Sequence, residues 1–235
     1  MFLHGFTQTH HHWHPVAHRI VEALDTTPTR LFVDLPGHGL AADDATPIAD
    51  AGEPLAALAG RGTYLGYSMG GRFALMAALA RPNLVERLVL IGATPGIDDE
   101  TERAERRALD DERAARIERD GVDAFLDAWL AAPMFAGLPA DPDGLAHRRR
   151  NTAAGLARSL RTAGTGSQPS VWERLGEITA PVLVIAGEHD TKFTDIGRRM
   201  TECLPDAEFV SVAGAGHAAH IEQPEQTARL IADRL

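Results

Sequence analysis

The sequence predicts an α/β domain in which a mostly parallel β-sheet is flanked by helices. Short apolar runs alternate along the chain with segments of helical period, which is typical of parallel strands joined by helical crossovers. Glycines follow several of the apolar runs, where a strand would turn into a helix. At 235 residues the chain is long enough for one domain with a well-filled core.

The strands and helices follow from these periods. Apolar runs predict strands at residues 2–4, 30–34, 63–65, 87–91, 182–186 and 209–212. Segments of helical period predict helices at residues 16–24, 54–59, 69–80, 193–203 and 224–235. Most of these helices lie between two strands, so they are expected to form crossovers.

The stretch after residue 94 departs from this alternation. It is rich in arginine and in acidic residues at helical spacing, and no strand-like run appears before Pro181. We therefore predict a core formed by residues 1–94 and 173–235, and a helical insertion, or lid, formed by residues 95–172. Opposite charges interleaved over residues 103–113 are by default typical of solvated helix faces.

Composition limits the partners and the compartment. The formal net charge of −10, with no basic stripe, argues against nucleic acid as a partner. No apolar stretch reaches about 18 residues, so no membrane insertion is expected. Cys203 is the only cysteine and no secretory leader precedes His4, which favours a cytoplasmic protein. The oligomeric state does not follow from these features.

Ser68 is the first candidate for a catalytic residue. It lies in Gly66-Tyr67-Ser68-Met69-Gly70, between an apolar run and a helix-like segment. In this context a tight strand-to-helix turn holds a serine hydroxyl above the sheet. Because the pentapeptide alone also occurs by chance as a glycine-rich turn, the prediction depends on finding partners for the serine.

An activated serine requires a base, and the base requires a carboxylate that fixes its tautomer. The apolar run at 181–186 leads to Asp190, and the run at 208–212 leads to His217. Since the carboxyl ends of parallel strands share one edge of the sheet, Ser68, Asp190 and His217 are expected to converge there. The sequence therefore predicts an enzyme with a Ser-His-Asp triad.

A developing oxyanion requires two main-chain N–H groups that already point at it. One is expected from Met69, directly after the serine, and the other from the loop after the first strand, at Phe6.

The chain contains other histidines that could act as a base or as metal ligands. His220 is an alternative base three residues after His217, but His217 directly follows the glycines of the strand-end loop and is preferred. Residues 10–12 and 14 are also histidines. Adjacent histidines in a loop have no fixed ligand geometry, so no metal site is expected there.

Several of these motifs together resemble the α/β-hydrolase fold superfamily over nearly the whole chain. They are residues 4–6, 34–39, 66–72, 187–190 and 216–217. Members usually carry a β-hairpin ahead of the first strand found here, so we expect a strand of only a few residues inside the sheet. Further segments are similar to the family of 2-succinyl-6-hydroxy-2,4-cyclohexadiene-1-carboxylate synthases of menaquinone biosynthesis. They are residues 72, 103–106, 129–135, 159–172, 190–193 and 217–220, and the most specific string is Gly-Thr-Gly-x-Gln-Pro-Ser-x-Trp at 164–172.

This resemblance implies a carbon–oxygen lyase that uses no cofactor. In that family the serine removes a ring proton from 2-succinyl-5-enolpyruvyl-6-hydroxy-3-cyclohexene-1-carboxylate, and pyruvate leaves as the ring becomes a diene. On this chain Ser68 is then expected to accept the proton, His217 to relay it, and Asp190 to orient His217 and stabilise its cation.

The implied partner is a small-molecule polycarboxylate, which requires local cations in an acidic protein. The candidates for substrate binding are Tyr67, Arg72, Arg106, Trp129, Arg150 and Lys192. Lys192 is the only lysine of the chain and lies two residues after Asp190. For the two aromatic residues, packing in a pocket wall or in the core is an equal alternative.

Two other functional classes stay open. A serine hydrolase of a small ester or thioester would use the same three side chains and would form a covalent adduct on Ser68. A catalytically silent binding protein on the same fold would tolerate the loss of Ser68.

Overall fold

The computed structural model describes residues 1–24 and 26–235. Six strands form one parallel sheet in the order β2-β1-β3-β4-β5-β6. Their bounds are β1 Phe2–Leu3, β2 Phe32–Val33, β3 Gly62–Tyr67, β4 Val85–Ile91, β5 Val182–Gly187 and β6 Ala207–Val212. The predicted α/β class with a parallel sheet is confirmed, and every predicted strand lies within two residues of its expected bounds.

Helices cover the sheet and also form the stretch between β4 and β5. Their bounds are α1 His14–Glu22, α2 Gly52–Ala59, α3 Met69–Ala80, α4 Glu100–Leu130, α5 Pro142–Arg148, α6 Ala153–Ala163, α7 Thr191–Cys203, α8 Ala219–Glu222 and α9 Pro224–Ala232. Helices α1, α2 and α7 begin two residues before the predicted positions. In α1 the first turn contains Pro15, and the first turn of a helix tolerates proline because its N–H groups have no intrahelical partner.

The core lies on both faces of the sheet. Successive residues of a strand point to opposite faces. Leu88 and Leu90 of β4 pack in one core with α2 and α3, whereas Val89 and Ile91 pack in a second core with α1 and α9. This burial on two sides explains why the strands are continuous apolar runs in the sequence.

The chain between β4 and β5 is helical, and it builds a third, smaller core. Helix α4 is interrupted at Gly121, whose φ of 83° is left-handed. Helices α4 and α6 supply the buried side chains of this core, which are Ala114, Ile117, Phe125, Leu156, Ala157 and Leu160. Phe6, in the loop after β1, packs against it. These helices therefore lie over that loop.

Strand β1 determines where the loops of the sheet edge meet. It has two residues, as expected for a short strand inside the sheet, and it pairs with β2 on one side and β3 on the other. The strand order reverses between β1 and β3, because the chain leaves β1 for the edge strand β2 and then returns to β3. In open α/β sheets a ligand crevice forms at such a reversal, at the carboxyl ends of the strands.

Within residues 1–24 and 26–235, no helix has both the length and the hydropathy needed to cross a bilayer.

Candidate active site

Ser68 occupies a strained turn between β3 and α3. Its φ of 50° and ψ of −109° lie in a region that non-glycine residues rarely adopt. The turn closes tightly because Gly66 and Gly70 have no side chains. A Cβ on Gly66 would lie 2.4 Å from the Gly70 carbonyl oxygen, and a Cβ on Gly70 would lie 2.1 Å from that of Leu3. The turn thereby holds the Ser68 side chain at the wall of a cavity.

The structure brings Ser68, His217 and Asp190 together. His217 Nε2 is 3.1 Å from Ser68 Oγ, and His217 Nδ1 is 2.6 Å from Asp190 Oδ2. Asp190 precedes α7 at the end of β5, and His217 lies in the loop after β6 and is 3% exposed. The carboxylate can thus fix the Nδ1–H tautomer of His217, which leaves Nε2 free to accept the Ser68 proton.

Glu222 is a positioning residue that the sequence did not indicate. Its carboxylate accepts the Gly216 N–H at 2.7 Å and the Ala218 N–H at 3.0 Å, and these two residues flank His217. Glu222 lies in α8, the one-turn helix after the loop. The backbone on both sides of His217 is therefore held by one side chain.

Phe6 and Met69 both line the same cavity as Ser68. Met69 is the first residue of α3, where main-chain N–H groups have no intrahelical acceptor. Neither the Phe6 nor the Met69 N–H donates a main-chain hydrogen bond to the described residues. The loop that carries Phe6 is ordered by Gln8, whose Oε1 accepts the Gly5 N–H at 2.9 Å.

Two buried imidazoles connect the loops that follow β1 and β2. His4 Nε2 accepts the Leu35 N–H at 3.0 Å, and His38 Nε2 accepts the Thr7 N–H at 3.2 Å. Burial lowers the pKa of His4 to about 4 and that of His38 to about 3. Both rings therefore stay neutral near pH 7, as an accepting Nε2 requires.

The cavity has a volume of about 530 Å³ and is rich in cations. Six strongly basic side chains line it, whereas Asp190 is the only acidic side chain among the described lining residues. The basic residues are Arg72, Arg106, Arg113, Arg116, Arg148 and Lys192. This local positive charge contrasts with the net charge of −10 for the whole chain. An anionic ligand fits such a site.

Arg72 is buried and has no carboxylate partner among the described residues. It is 7% exposed, and its guanidinium donates to the Ala163 carbonyl at 2.7 Å and to Gln168 Oε1 at 3.2 Å. Desolvation lowers its pKa to about 9, which leaves it charged at neutral pH. Since a buried charge is costly without a counter-ion, an anion in the cavity would stabilise it.

Arg106 and Arg113 share one buried carboxylate. Asp110 Oδ1 is 2.9 Å from Arg106 Nε and 3.1 Å from a terminal nitrogen of Arg113. Asp110 is almost fully buried in α4, while both arginines are partly exposed at the cavity. The carboxylate thus fixes the direction of two arginines, of which the sequence indicated only Arg106.

Arg150, a candidate for substrate binding, lies away from the cavity, and Arg148 lines it instead. Arg150 is exposed and lies outside the cavity, whereas Arg148 is 7% exposed, lines the cavity and donates to Thr7 Oγ1. Desolvation lowers the Arg148 pKa to about 10. The reason is the register: α5 ends at Arg148, and the chain then turns so that Arg150 points to solvent. Because residues 148–150 are all arginine, the sequence does not show which of them faces the cavity.

The remaining predicted residues also line the cavity. Trp129 has a buried indole N–H without an acceptor in the described part of the chain, and Arg113 lies 5.9 Å from its ring centroid. Tyr67 is buried, and its ring centroid lies 5.4 Å from that of His217. Lys192 is exposed, so it lies at the rim of the cavity.

His220 does not reach Ser68. It is fully buried against the Trp13 ring, with centroids 4.8 Å apart, and neither of its nitrogens has a partner within the described residues. Desolvation, followed by the nearby charges of His217 and Arg148, lowers its pKa to about 3 from an ordinary value of 6.5. His220 is therefore a neutral core residue at pH 7.

We expect acid to destabilise the fold through His220. Its folded pKa lies below its unfolded value, so between pH 6.5 and 3 the unfolded state binds the additional proton. This contribution is complete above pH 6.5 and decreases as the pH falls. His220→Phe should reduce the pH slope of the unfolding free energy by about 1.4 kcal/mol per pH unit below pH 6 and by less above it, measured by urea unfolding at pH 5, 6 and 7. The exposed His18→Phe is the control, and an unchanged slope in His220→Phe would contradict the assignment.

Comparisons with known proteins identify the family of this chain. The model of the alpha/beta hydrolase family matches residues 1–230. The putative 2-succinyl-6-hydroxy-2,4-cyclohexadiene-1-carboxylate synthase of Bacillus subtilis (strain 168) is 41% identical over 176 residues, which span 73% of this chain and 64% of that protein. The synthase of the same name from Salmonella schwarzengrund (strain CVM19633) is 33% identical over 95% of this chain and 88% of that protein. The structure of MenH from S. aureus has a TM-score of 0.88 and 31% identity, covering 99% of this chain and 91% of that one.

Proposed function

This chain belongs to the alpha/beta hydrolase family, and from that premise we propose that it is a carbon–oxygen lyase of menaquinone biosynthesis. The substrate is 2-succinyl-5-enolpyruvyl-6-hydroxy-3-cyclohexene-1-carboxylate, and the products are 2-succinyl-6-hydroxy-2,4-cyclohexadiene-1-carboxylate and pyruvate. The observation that carries the proposal is the cation-rich cavity beside Ser68. The relatives named as synthases of this product support the same reaction.

The chemistry begins at the ring carbon that bears the succinyl ketone. Its hydrogen is acidic because the electron pair left behind can delocalise onto the ketone oxygen as an enolate. That pair then forms a new ring double bond, the existing double bond shifts, and the bond between the ring carbon and the enolpyruvyl oxygen breaks. Pyruvate leaves as its enolate and takes up a proton.

Ser68, His217 and Asp190 form the general base in this proposal. Ser68 Oγ accepts the ring proton while its own proton passes to His217 Nε2, which lies 3.1 Å away. Asp190, 2.6 Å from Nδ1, stabilises the imidazolium that results. After the transfer the substrate carries the negative charge of the enolate, and the positive charge lies on the His217 imidazolium.

The Phe6 and Met69 N–H groups form the oxyanion hole. The enolate oxygen is the atom on which negative charge develops, and two uncommitted N–H groups beside Ser68 suit it. Removal of one such donor costs about 2.7–4 kcal/mol of transition-state stabilisation in enzymes where it has been tested. The same pair would serve an ester hydrolase, so it does not by itself select the reaction.

The carboxylates of the substrate distinguish it from a simple ester. They lie on the ring, on the succinyl chain and on the enolpyruvyl group, and each can accept charged hydrogen bonds. Arg72 and Arg148 are the strongest partners because both are buried, face the cavity and form no ion pair within the described residues. A charged hydrogen bond of this kind contributes about 1.5–3 kcal/mol.

The helices of residues 95–172 act as a lid over this site. They carry Arg106, Arg113 and Trp129, which line the cavity together with Ser68. Arg106 and Arg113 are held by Asp110 of the same helix, α4. Opening of the lid would therefore move these cations together and leave Ser68, His217 and Asp190 in place.

A pair of assays separates the lyase from a serine hydrolase. Pyruvate release from the freshly prepared enolpyruvyl substrate is followed with lactate dehydrogenase, and p-nitrophenyl acetate is used as a generic ester. We expect rapid pyruvate release, a much slower ester reaction, and no mass increase on Ser68 after acid quenching during turnover of the enolpyruvyl substrate. A stable acyl adduct together with faster ester hydrolysis would favour the hydrolase instead.

A further inference from the structure

Three histidines near the amino end of α1 form a cluster outside the cavity described above. One ring nitrogen from each of His10, His11 and His14 lies within 4.8 Å of the others. None of the three lines the cavity beside Ser68. His10 and His11 are partly exposed and His14 is exposed, so the cluster is open to ions from solution.

The local backbone explains this convergence. Residues 10–13 form a 3₁₀ turn that leads directly into α1 at His14. Residues three and four apart on a helix face the same side, which applies to His11 with His14 and to His10 with His14. The sequence analysis treated this segment as a loop without fixed ligand geometry, whereas the structure shows a 3₁₀ turn that gathers the three rings.

Asp34 provides the support that metal-binding histidines typically have. Its Oδ2 is 2.9 Å from His10 Nδ1, and its Oδ1 accepts the His10 main-chain N–H at 2.7 Å. The Asp34 side chain is almost buried and also accepts the Leu40 N–H at 2.9 Å. A carboxylate on one ring nitrogen fixes the imidazole and leaves Nε2 as the metal ligand.

We propose that His10, His11 and His14 bind a first-row transition-metal ion such as Zn²⁺, with one coordination position left open. Tetrahedral Zn–N bonds of about 2.1 Å place the nitrogens roughly 3.4 Å apart, so the rings have to turn toward one another from separations of up to 4.8 Å. His11 and His14 also line a second cavity of about 380 Å³, from which a water or a small anion can occupy the open position.

The ion is structural in this proposal, and the site is independent of the lyase reaction. Its ligands lie at the start of α1, and Asp34 lies at the end of β2. A bound ion would therefore connect the loop after β1 to β2. Zn²⁺ that binds the folded chain alone raises its unfolding temperature, whereas Zn²⁺ held equally by any run of histidines does not.

The test is Zn²⁺ titration of the full chain by calorimetry, combined with thermal unfolding with and without ZnCl₂. We expect one equivalent to bind and to raise the unfolding temperature. Asp34→Asn should lower Zn²⁺ affinity by about 10- to 100-fold, and His14→Ala should lower it at least as much. His18→Ala, on an exposed histidine of the same helix, should keep wild-type affinity. Pyruvate release by metal-free enzyme separates this proposal from the lyase assignment.

Three results would overturn the proposal. The first is no binding of Zn²⁺ by the wild-type chain. The second is equal affinity in the wild type and in His14→Ala, which is exposed and should still fold. The third is equal Zn²⁺ binding by the urea-unfolded chain with no rise in unfolding temperature, because binding would then come from the histidine run as a linear peptide.

Discussion

Ser68→Ala is expected to lower kcat for pyruvate release by about 10²–10⁴-fold, because a positioned general base contributes that much to a proton transfer. In the proposal Ser68 Oγ accepts the ring proton, and His217 Nε2 lies 3.1 Å from it to take the proton of the hydroxyl. Substrate affinity should change little, because the arginines that bind carboxylates remain. The measurement is the initial rate of pyruvate release at saturating substrate, together with KM.

Ser211→Ala is the matched control, since this serine is exposed on β6. It should retain wild-type kcat and KM. If Ser68→Ala kept more than a tenth of the wild-type kcat, another group would have to remove the ring proton. In that case the oxyanion hole and the arginines would still explain binding, and the triad would be the part of the proposal to abandon.

Arg148→Met is expected to lower kcat/KM for the enolpyruvyl substrate by about 10- to 150-fold, which corresponds to the loss of one charged hydrogen bond to a carboxylate. Methionine is similar in length and carries no charge. The unfolding temperature without substrate should stay the same or rise, because Arg148 is a buried charge with no carboxylate partner in the part of the chain that the structure describes. If the variant loses activity but not stability, Arg148 serves substrate binding rather than folding.

Arg150→Met is the matched control two residues away. Arg150 is exposed and outside the cavity, so kcat/KM should be unchanged. If both variants lost activity equally, general charge attraction would explain the effect better than a direct contact. If only Arg150→Met lost activity, the register read from α5 would be incorrect.

The sheet and the three residues at its edge were within reach of sequence reasoning because each depends on local signals. Buried strands are apolar runs, and Ser68, Asp190 and His217 each follow one of them. The ends of parallel strands meet whatever the details of packing. Helix α3 could be placed at its observed bounds because the turn at Ser68 fixes where it begins.

The side-chain contacts of residues 95–172, and that of Glu222, could not be predicted from the sequence. Arg148 and Arg150 have the same chemistry and differ only in which way the end of α5 turns. Asp110 looked like one of many charges on a solvated helix, yet it is buried and holds two arginines. Glu222 could not be linked to His217 without knowing the loop between them. Each of these depends on tertiary contacts that leave no periodic trace in the sequence.

His4 and His38 have a consequence for how this fold tolerates change. Strand β1 has only two residues, so it can form few main-chain hydrogen bonds with β2. Next to this short strand, His4 Nε2 accepts the Leu35 N–H, as a main-chain carbonyl of a longer strand would. Each ring accepts a main-chain N–H with Nε2 and lies within hydrogen-bond distance of a main-chain carbonyl with Nδ1. A side chain that can both accept and donate, such as glutamine, should therefore preserve the connection between the loops, whereas leucine should lose it.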